Sequence, residues 1–263
     1  MNNPASILVD MIWIEWRKAM RSRMPLGTAL GSLFMPLGIA FLIFVSRNPE
    51  ISKQLGLISA KADLVKYAAT DWPTYLALFA MLIAAGGFFL FVLVVSWTFG
   101  REFVDGTLKD MLAVPVPRTS ILLAKFIVAA GWSVALAAGI LIAGLITGVA
   151  IGLPGGSPGV LLQGAGLLAG CAGLTIAVVL PFAFFASAGR GYLLPVGMAI
   201  LALMSANLVV LLGWGELYPW AVPGLFSQGP GSLLPASYGM VLITCLAGML
   251  ATYFWWKHAD QNR

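Results

Sequence analysis

From Ser120 to Ile151 the chain carries one charged side chain, Lys125, in a run that is otherwise apolar, small or hydroxyl-bearing. An α-helix rises about 1.5 Å per residue and a bilayer core is about 30 Å thick, so about 20 apolar residues cross it. Comparable runs recur at about 25–45, 74–99, 160–188, 192–212 and 236–256. The whole chain is 60% hydrophobic and 10% charged, against about half and a quarter for a soluble domain. Lipid is therefore the expected solvent. Backbone polar groups inside lipid must be satisfied within each segment, which selects helices. The expected fold is all-α and polytopic, with six transmembrane helices in one domain over residues 1–263.

The segments between the runs differ in kind. Residues Ser6–Met20 read as an amphipathic helix, with Leu8, Val9, Ile12, Trp13, Trp16 and Met20 on one face and Asp10, Arg17, Lys18 and Arg21 on the other. Tryptophans opposite bases suit a membrane interface, so Trp13, Trp16, Arg17 and Arg21 are assigned to an interfacial helix within 6–24. The charged lead, with Arg17, Lys18, Arg21 and Arg23, is too long for a cleavable signal, and the first span is expected to be retained. Within 47–71, Ile51, Leu55, Ile58, Ala62 and Val65 recur at helical spacing after Asn48-Pro49, predicting a surface helix. Leu153–Gly159 is an uncharged turn and Gly189-Arg190-Gly191 a tight basic one. Gly213–Pro235 is rich in Gly, Pro and Trp, too broken to span and too apolar for a solvated loop. It predicts an extracellular re-entrant hairpin before the last span.

Basic residues set the orientation. With both termini inside, Arg17, Lys18, Arg21, Arg23, Arg101, Lys109, Arg118, Lys125, Arg190, Lys257 and Arg263 lie on the inner side. Only Arg47, Lys53, Lys61 and Lys66 lie outside. The expectation is a membrane protein with cytoplasmic termini. Its net charge of +5 then reflects topology and anionic headgroups rather than nucleic acid.

Several chemistries lack their residues. No lysine precedes Ser or Thr, so there is no Walker-type phosphate loop. The one histidine, His258, leaves no zinc-protease motif. Cys171 and Cys245 both sit inside apolar runs, where small buried residues are the simpler account, and no metal set forms. Asp105-Gly106 followed by Asp110 offers only a fragment of a lipid-modifying transferase pattern. The spans are expected to hold no buried Asp, Glu, Lys or Arg to serve as a proton or ion site, which weighs against ion coupling. Their notable polar groups are Gln163, Thr175 and Asn207, which could line a pathway or simply bond neighbouring helices. Glu216, among Trp214, Tyr218 and Trp220, could serve a gate or an aromatic belt. Gly144, Gly148 and Gly152 repeat at four in the third span, and Gly166, Gly170 and Gly173 mark the fourth. Such spacing allows close helix packing, expected chiefly within the chain.

The densest charge lies between the second and third spans, in 97–118. Taken as one helix, Gly100–Leu112 puts Phe103, Val104, Thr107, Leu108 and Met111 on one arc and Arg101, Glu102, Asp105 and Lys109 on the other, with two i,i+4 ion pairs. Pro115 and Pro117 then set an extended link. Gly100-Arg101-Glu102, Asp105-Gly106-Thr107-Leu108, Leu112, Pro115, Pro117-Arg118 and Lys125 resemble the inner-loop signature of type-2 ABC exporter permeases. The small permeases of bacterial drug, bacteriocin-immunity and bacitracin-type exporters are most similar.

The resemblance implies that 100–118 is a coupling segment docked on a cytoplasmic ABC ATPase through Arg101, Glu102, Asp105, Gly106, Thr107 and Leu108. It implies two ATPase copies and a second permease copy. It also implies no cofactor on this chain, with ATP and magnesium held by the partner. Asn207, Gln163 and Glu216 become candidates for a cargo pathway or gate, and the cargo is expected to be apolar or amphipathic. The alternatives are an ATPase-independent carrier or pore, or an intramembrane lipid-modifying enzyme.

Overall fold

The computed structural model describes residues 4–48, 50–51, 71–113, 115–229, 231 and 233–258. Within these, the side chains of Pro4, Ala5, Leu42, Ser46, Arg47, Lys109 and Leu112 lie outside the description. The surface helix expected within 47–71 falls almost wholly outside the described residues.

Six helical segments are long and apolar enough to cross a membrane: Met24–Val45, Trp72–Val104, Arg118–Ile151, Pro158–Ala188, Leu193–Leu211 and Pro235–His258. No strand occurs among the described residues. The elements are α1 (Pro4–Met20), α2 (Met24–Arg47), α3 (Trp72–Leu82), a π turn (Ile83–Gly87), α4 (Phe88–Val104), α5 (Leu108–Ala113), α6 (Arg118–Ile151), α7 (Pro158–Val179), α8 (Phe182–Ala188), α9 (Leu193–Leu211), α10 (Val222–Gln228) and α11 (Pro235–His258).

Local chemistry sets the ends. The Asp71 carboxylate accepts from Thr74 N at 3.0 Å and Pro73 occupies the first turn of α3, a cap worth about 1 kcal/mol. Ser157 caps α7 in the same way, ahead of Pro158. Leu180 and Pro181 interrupt the fourth span between α7 and α8, because proline removes one ladder donor and clashes with the preceding turn.

Six crossings return both described ends to one face. There Arg118 Nη1 donates to Trp256 O at 3.0 Å, joining α6 to the end of α11, and Trp256 Nε1 donates to Ser187 Oγ at 2.9 Å. At the opposite face Trp72 N donates to Pro154 O. Close packing of α3 on α6 is carried by small residues. A Cβ on Gly144 would stand 2.7 Å from the Phe79 ring, and one on Gly148 would stand 2.6 Å from Trp72. Tyr75 OH donates to Gly144 O at 2.9 Å across this seam. The expected intrachain use of the third-span glycines holds for these two. Of the three glycines expected to mark the fourth span, only Gly170 packs closely, against Phe226 of α10, while Gly166 and Gly173 face open space; Gly164 packs against Leu76.

The middle of the segment before the last span is packed against protein, while Trp214, Leu217 and Leu234 are exposed. Trp220 Nε1 donates to Val178 O at 3.1 Å, Tyr218 OH and Ser205 Oγ lie 2.7 Å apart, and Val222 is fully buried.

The charged end and its buried ion cluster

The long helical wheel for Gly100–Leu112 is corrected by a break. α4 continues from the second span through Val104, Asp105–Thr107 form a turn, and α5 begins at Leu108. Gly106 sits at φ +70°, a left-handed conformation that costs other L-residues about 1–2 kcal/mol. Asp-Gly is a turn signal in its own right. The break separates two sets of residues that a continuous helix had merged.

Glu102, on the α4 side, turns inward. It is 3% exposed, which removes it from the solvent arc given to it by the wheel. Its Oε1 accepts from Lys125 Nζ at 2.6 Å. Lys125, fully buried, overturns with Glu102 the expectation that the spans hold no buried charge; it also donates to Glu15 Oε2 at 3.1 Å and to Thr98 O at 3.0 Å. Lys18 completes the group, 2.9 Å from Glu15 Oε1 and 3.5 Å from Glu102 Oε1. Two lysines and two glutamates thus balance, and Lys125 makes three bonds, the number its ammonium offers. An isolated buried charge would cost several kcal/mol, whereas a paired and hydrogen-bonded one is tolerated. Glu102 Oε2 is buried without a hydrogen-bond partner among the described residues.

Glu15 places α1. The wheel put one apolar face toward the membrane, but the face that packs on α6 carries Met11, Glu15 and Ala19, all buried. Leu8 and Ile12 join Met11 against Ile121 and Ala124. Trp16 meets Trp132 edge-on at 5.9 Å, whereas Trp13 is 59% exposed with Arg17 over its ring. Arg21 lies just past the helix and is exposed. The interfacial residues are therefore divided between two faces.

Burial raises the Glu15 carboxyl, but the Lys125 and Lys18 ammoniums outweigh it and hold the group below its ordinary value. A carboxyl depressed by folding adds stability above its unfolded value and loses it as pH falls through the folded one. The thermal-midpoint difference between wild type and Glu15→Gln should be flat from pH 8 to about 5. It should shrink below about pH 4.3, the unperturbed glutamate value. A difference that grows on acidification would contradict the pairing.

Beyond Gly106 the side chains open to solvent. Asp105, Thr107 and Asp110 are exposed, while Leu108 packs against the core. Arg101 Nε donates to Asp105 at 3.0 Å, and its guanidinium stacks 4.9 Å above Trp97. A cavity of about 440 Å³ separates α1 from this turn, lined in part by Lys18, Arg101, Asp105, Thr107 and Asp110. The 189–192 turn, not linked to 100–105 by sequence reasoning, packs there too: a Cβ on Gly100 would meet Gly191 O at 3.0 Å. Tyr192 lies close enough that burial, with the Asp105 carboxylate, pushes its phenol up.

The pathway candidates are scattered. Asn207 lines a cleft of about 180 Å³ with Met81, Trp220 and Gln228. Gln163 is exposed on α7, Glu216 is half-buried, and neither lines the cleft. Thr175 bonds Cys171 O in its own helix. No group of His, Cys, Asp or Glu suited to a metal occurs among the described residues.

Six apolar helices with a charged turn at one end define a multi-pass membrane protein. Residues 11–206 match the model of the ABC-2 family transporter protein, and the chain belongs to that family. It is the membrane permease subunit of an ABC exporter. It is also similar to the bacitracin transport permease protein BCRB of Bacillus licheniformis, 25% identical over 174 residues, covering 65% of this chain and 84% of the relative.

Proposed function

We propose that this permease pairs with a second permease copy and with two cytoplasmic ATPase subunits that hold ATP and magnesium. The described ends and the basic residues beside them face the cytoplasm of a bacterial inner membrane. ATPase closure rocks the two membrane halves between inward and outward states, and this chain performs no hydrolysis itself. The observation that supports docking is the exposed turn Asp105–Thr107 with Asp110, held out beyond Gly106 at the basic end. Arg101 contributes at its edge. Glu102 and Leu108, turned inward, support the surface rather than forming it.

The cleft at Asn207 is the best candidate contact for an apolar or amphipathic cargo, with Asn207 and Gln228 as its amides. Gly213–Pro235 re-enters the membrane beside it. Gln163 and Glu216 stand apart as rim or gate residues. The relative's name makes bacitracin the first cargo to test.

The double reversal Asp105→Lys with Asp110→Lys should reduce recovery of the ATPase with the tagged permease about tenfold or more, since charge reversal at an interface is repulsive. The fold should survive, because an exposed ion pair such as Arg101–Asp105 is worth at most about 1 kcal/mol. Undiminished recovery, with the same circular dichroism and elution, would reject this surface.

A further inference from the structure

We infer that Lys125 is a positioning residue, the tie that holds α1 in register with the ends of α4 and α6. Three observations converge on it. Its ammonium is fully buried and reaches α1 through Glu15 and α4 through Glu102. Its third bond, to Thr98 O, fixes the same turn of α4 from the backbone. The remaining contacts of α1 on α6 are mostly apolar, from Leu8, Met11 and Ile12.

Apolar side chains pack almost equally well after a slide of one turn, so they hold α1 close without choosing its position. A buried ion cluster accepts one arrangement, because any slide strands charge in a poor dielectric. The cavity beside the ion cluster opens toward Thr107 and Asp110, and on that side α1 is held by Met111 beside Met11 and by the 3.4 Å bond from Arg101 Nη1 to Lys18 O. The buried contacts that choose its position are thus set chiefly from the Lys125 side. Taken with the docking reading, on which this part rests, a push at the Asp105 turn enters α4 just past Glu102. Lys125 then passes it to α1 and to the third span together, and the three move as one body.

The test uses spin labels at two exposed positions, Val9 on α1 and Val134 on α6, in the purified permease together with whatever ATPase accompanies it. Wild type should give one narrow Val9–Val134 distance distribution, unchanged on trapping with ATP and vanadate. Lys125→Met should broaden or split it. Lys125→Arg, which restores a cation with several donors, should narrow it again. A distribution for Lys125→Met as narrow as wild type would overturn the inference.

Should Lys125→Met fail to fold because it strands two carboxylates, the pair Lys125→Met with Glu102→Gln removes one stranded charge and still severs the tie. The same readout then decides. A purified permease that carries no ATPase would count against the docking reading alone, because the label distances are read on the permease itself.

Discussion

Glu102→Ala should lower the thermal unfolding midpoint of the detergent-solubilised protein by roughly 6–20 °C. Removing one partner of a buried pair costs about 3–5 kcal/mol, and a chain of this size shifts by about 2–4 °C per kcal/mol. The loss is expected at the high end of surface-charge effects because Lys125 is fully buried and its shortest bond, 2.6 Å, is the one removed. Glu102→Gln should lose much less, since an amide oxygen can still accept from Lys125. Asp105→Ala, on the exposed turn three residues past Glu102, should move the midpoint by no more than about 2 °C, as an exposed pair contributes little. Equal effects at Glu102 and Asp105 would contradict the division between an inward and an outward set.

The second large effect is steric. Gly148→Leu should prevent the protein from accumulating as a monodisperse species in the membrane. Even a Cβ there would stand 2.6 Å from Trp72 and 3.0 Å from Tyr75, and Trp72 and Tyr75 are already packed edge-on at 5.8 Å. Overpacking a dense interior typically costs about 1–3 kcal/mol. A full leucine here must force α3 away from α6 and break the Tyr75 bond to Gly144 O. Gly139→Leu, on the same helix with nothing near its Cβ, is the matched control and should express normally. Size-exclusion profiles of the two variants decide the matter.

Hydropathy made the crossings legible, because a span's length and apolarity are local properties of the chain. The turn at Asp105–Thr107 was also within reach, through Asp-Gly, but a wheel drawn across it gave Glu102 to solvent. The error has a physical source. A wheel ranks side chains by polarity, and polarity assigns a carboxylate to water unless its counter-charge is in view. The counter-charge was Lys125, in the following span, and its second partner was Glu15, on a helix sorted as interfacial. No local pattern joins these three residues. The same holds for the 189–192 turn, which reaches Gly100 only after the fourth span has folded back. Asn207, Gln163 and Glu216 were chosen for polarity alone, and the fold brings just one of them to a cleft.

The π turn at Ile83–Gly87 bears on all of this. Counted at about 100° per residue from Tyr75, the buried side chains of α3 centre at roughly 70°, while those of α4 centre at roughly 210°. On an unbroken α-helix the two would look in directions more than a quarter turn apart. Closing hydrogen bonds five residues back rather than four takes up about one residue, or about 100°, and brings the two most of the way onto one bearing. The turn thus works as a protractor in the middle of the second span. It lets the helix that lays Tyr75 against Gly144 at one face aim Glu102 at Lys125 at the other. Wound instead as an unbroken α-helix, the same residues would keep every apolar side chain and point the carboxylate away from its lysine.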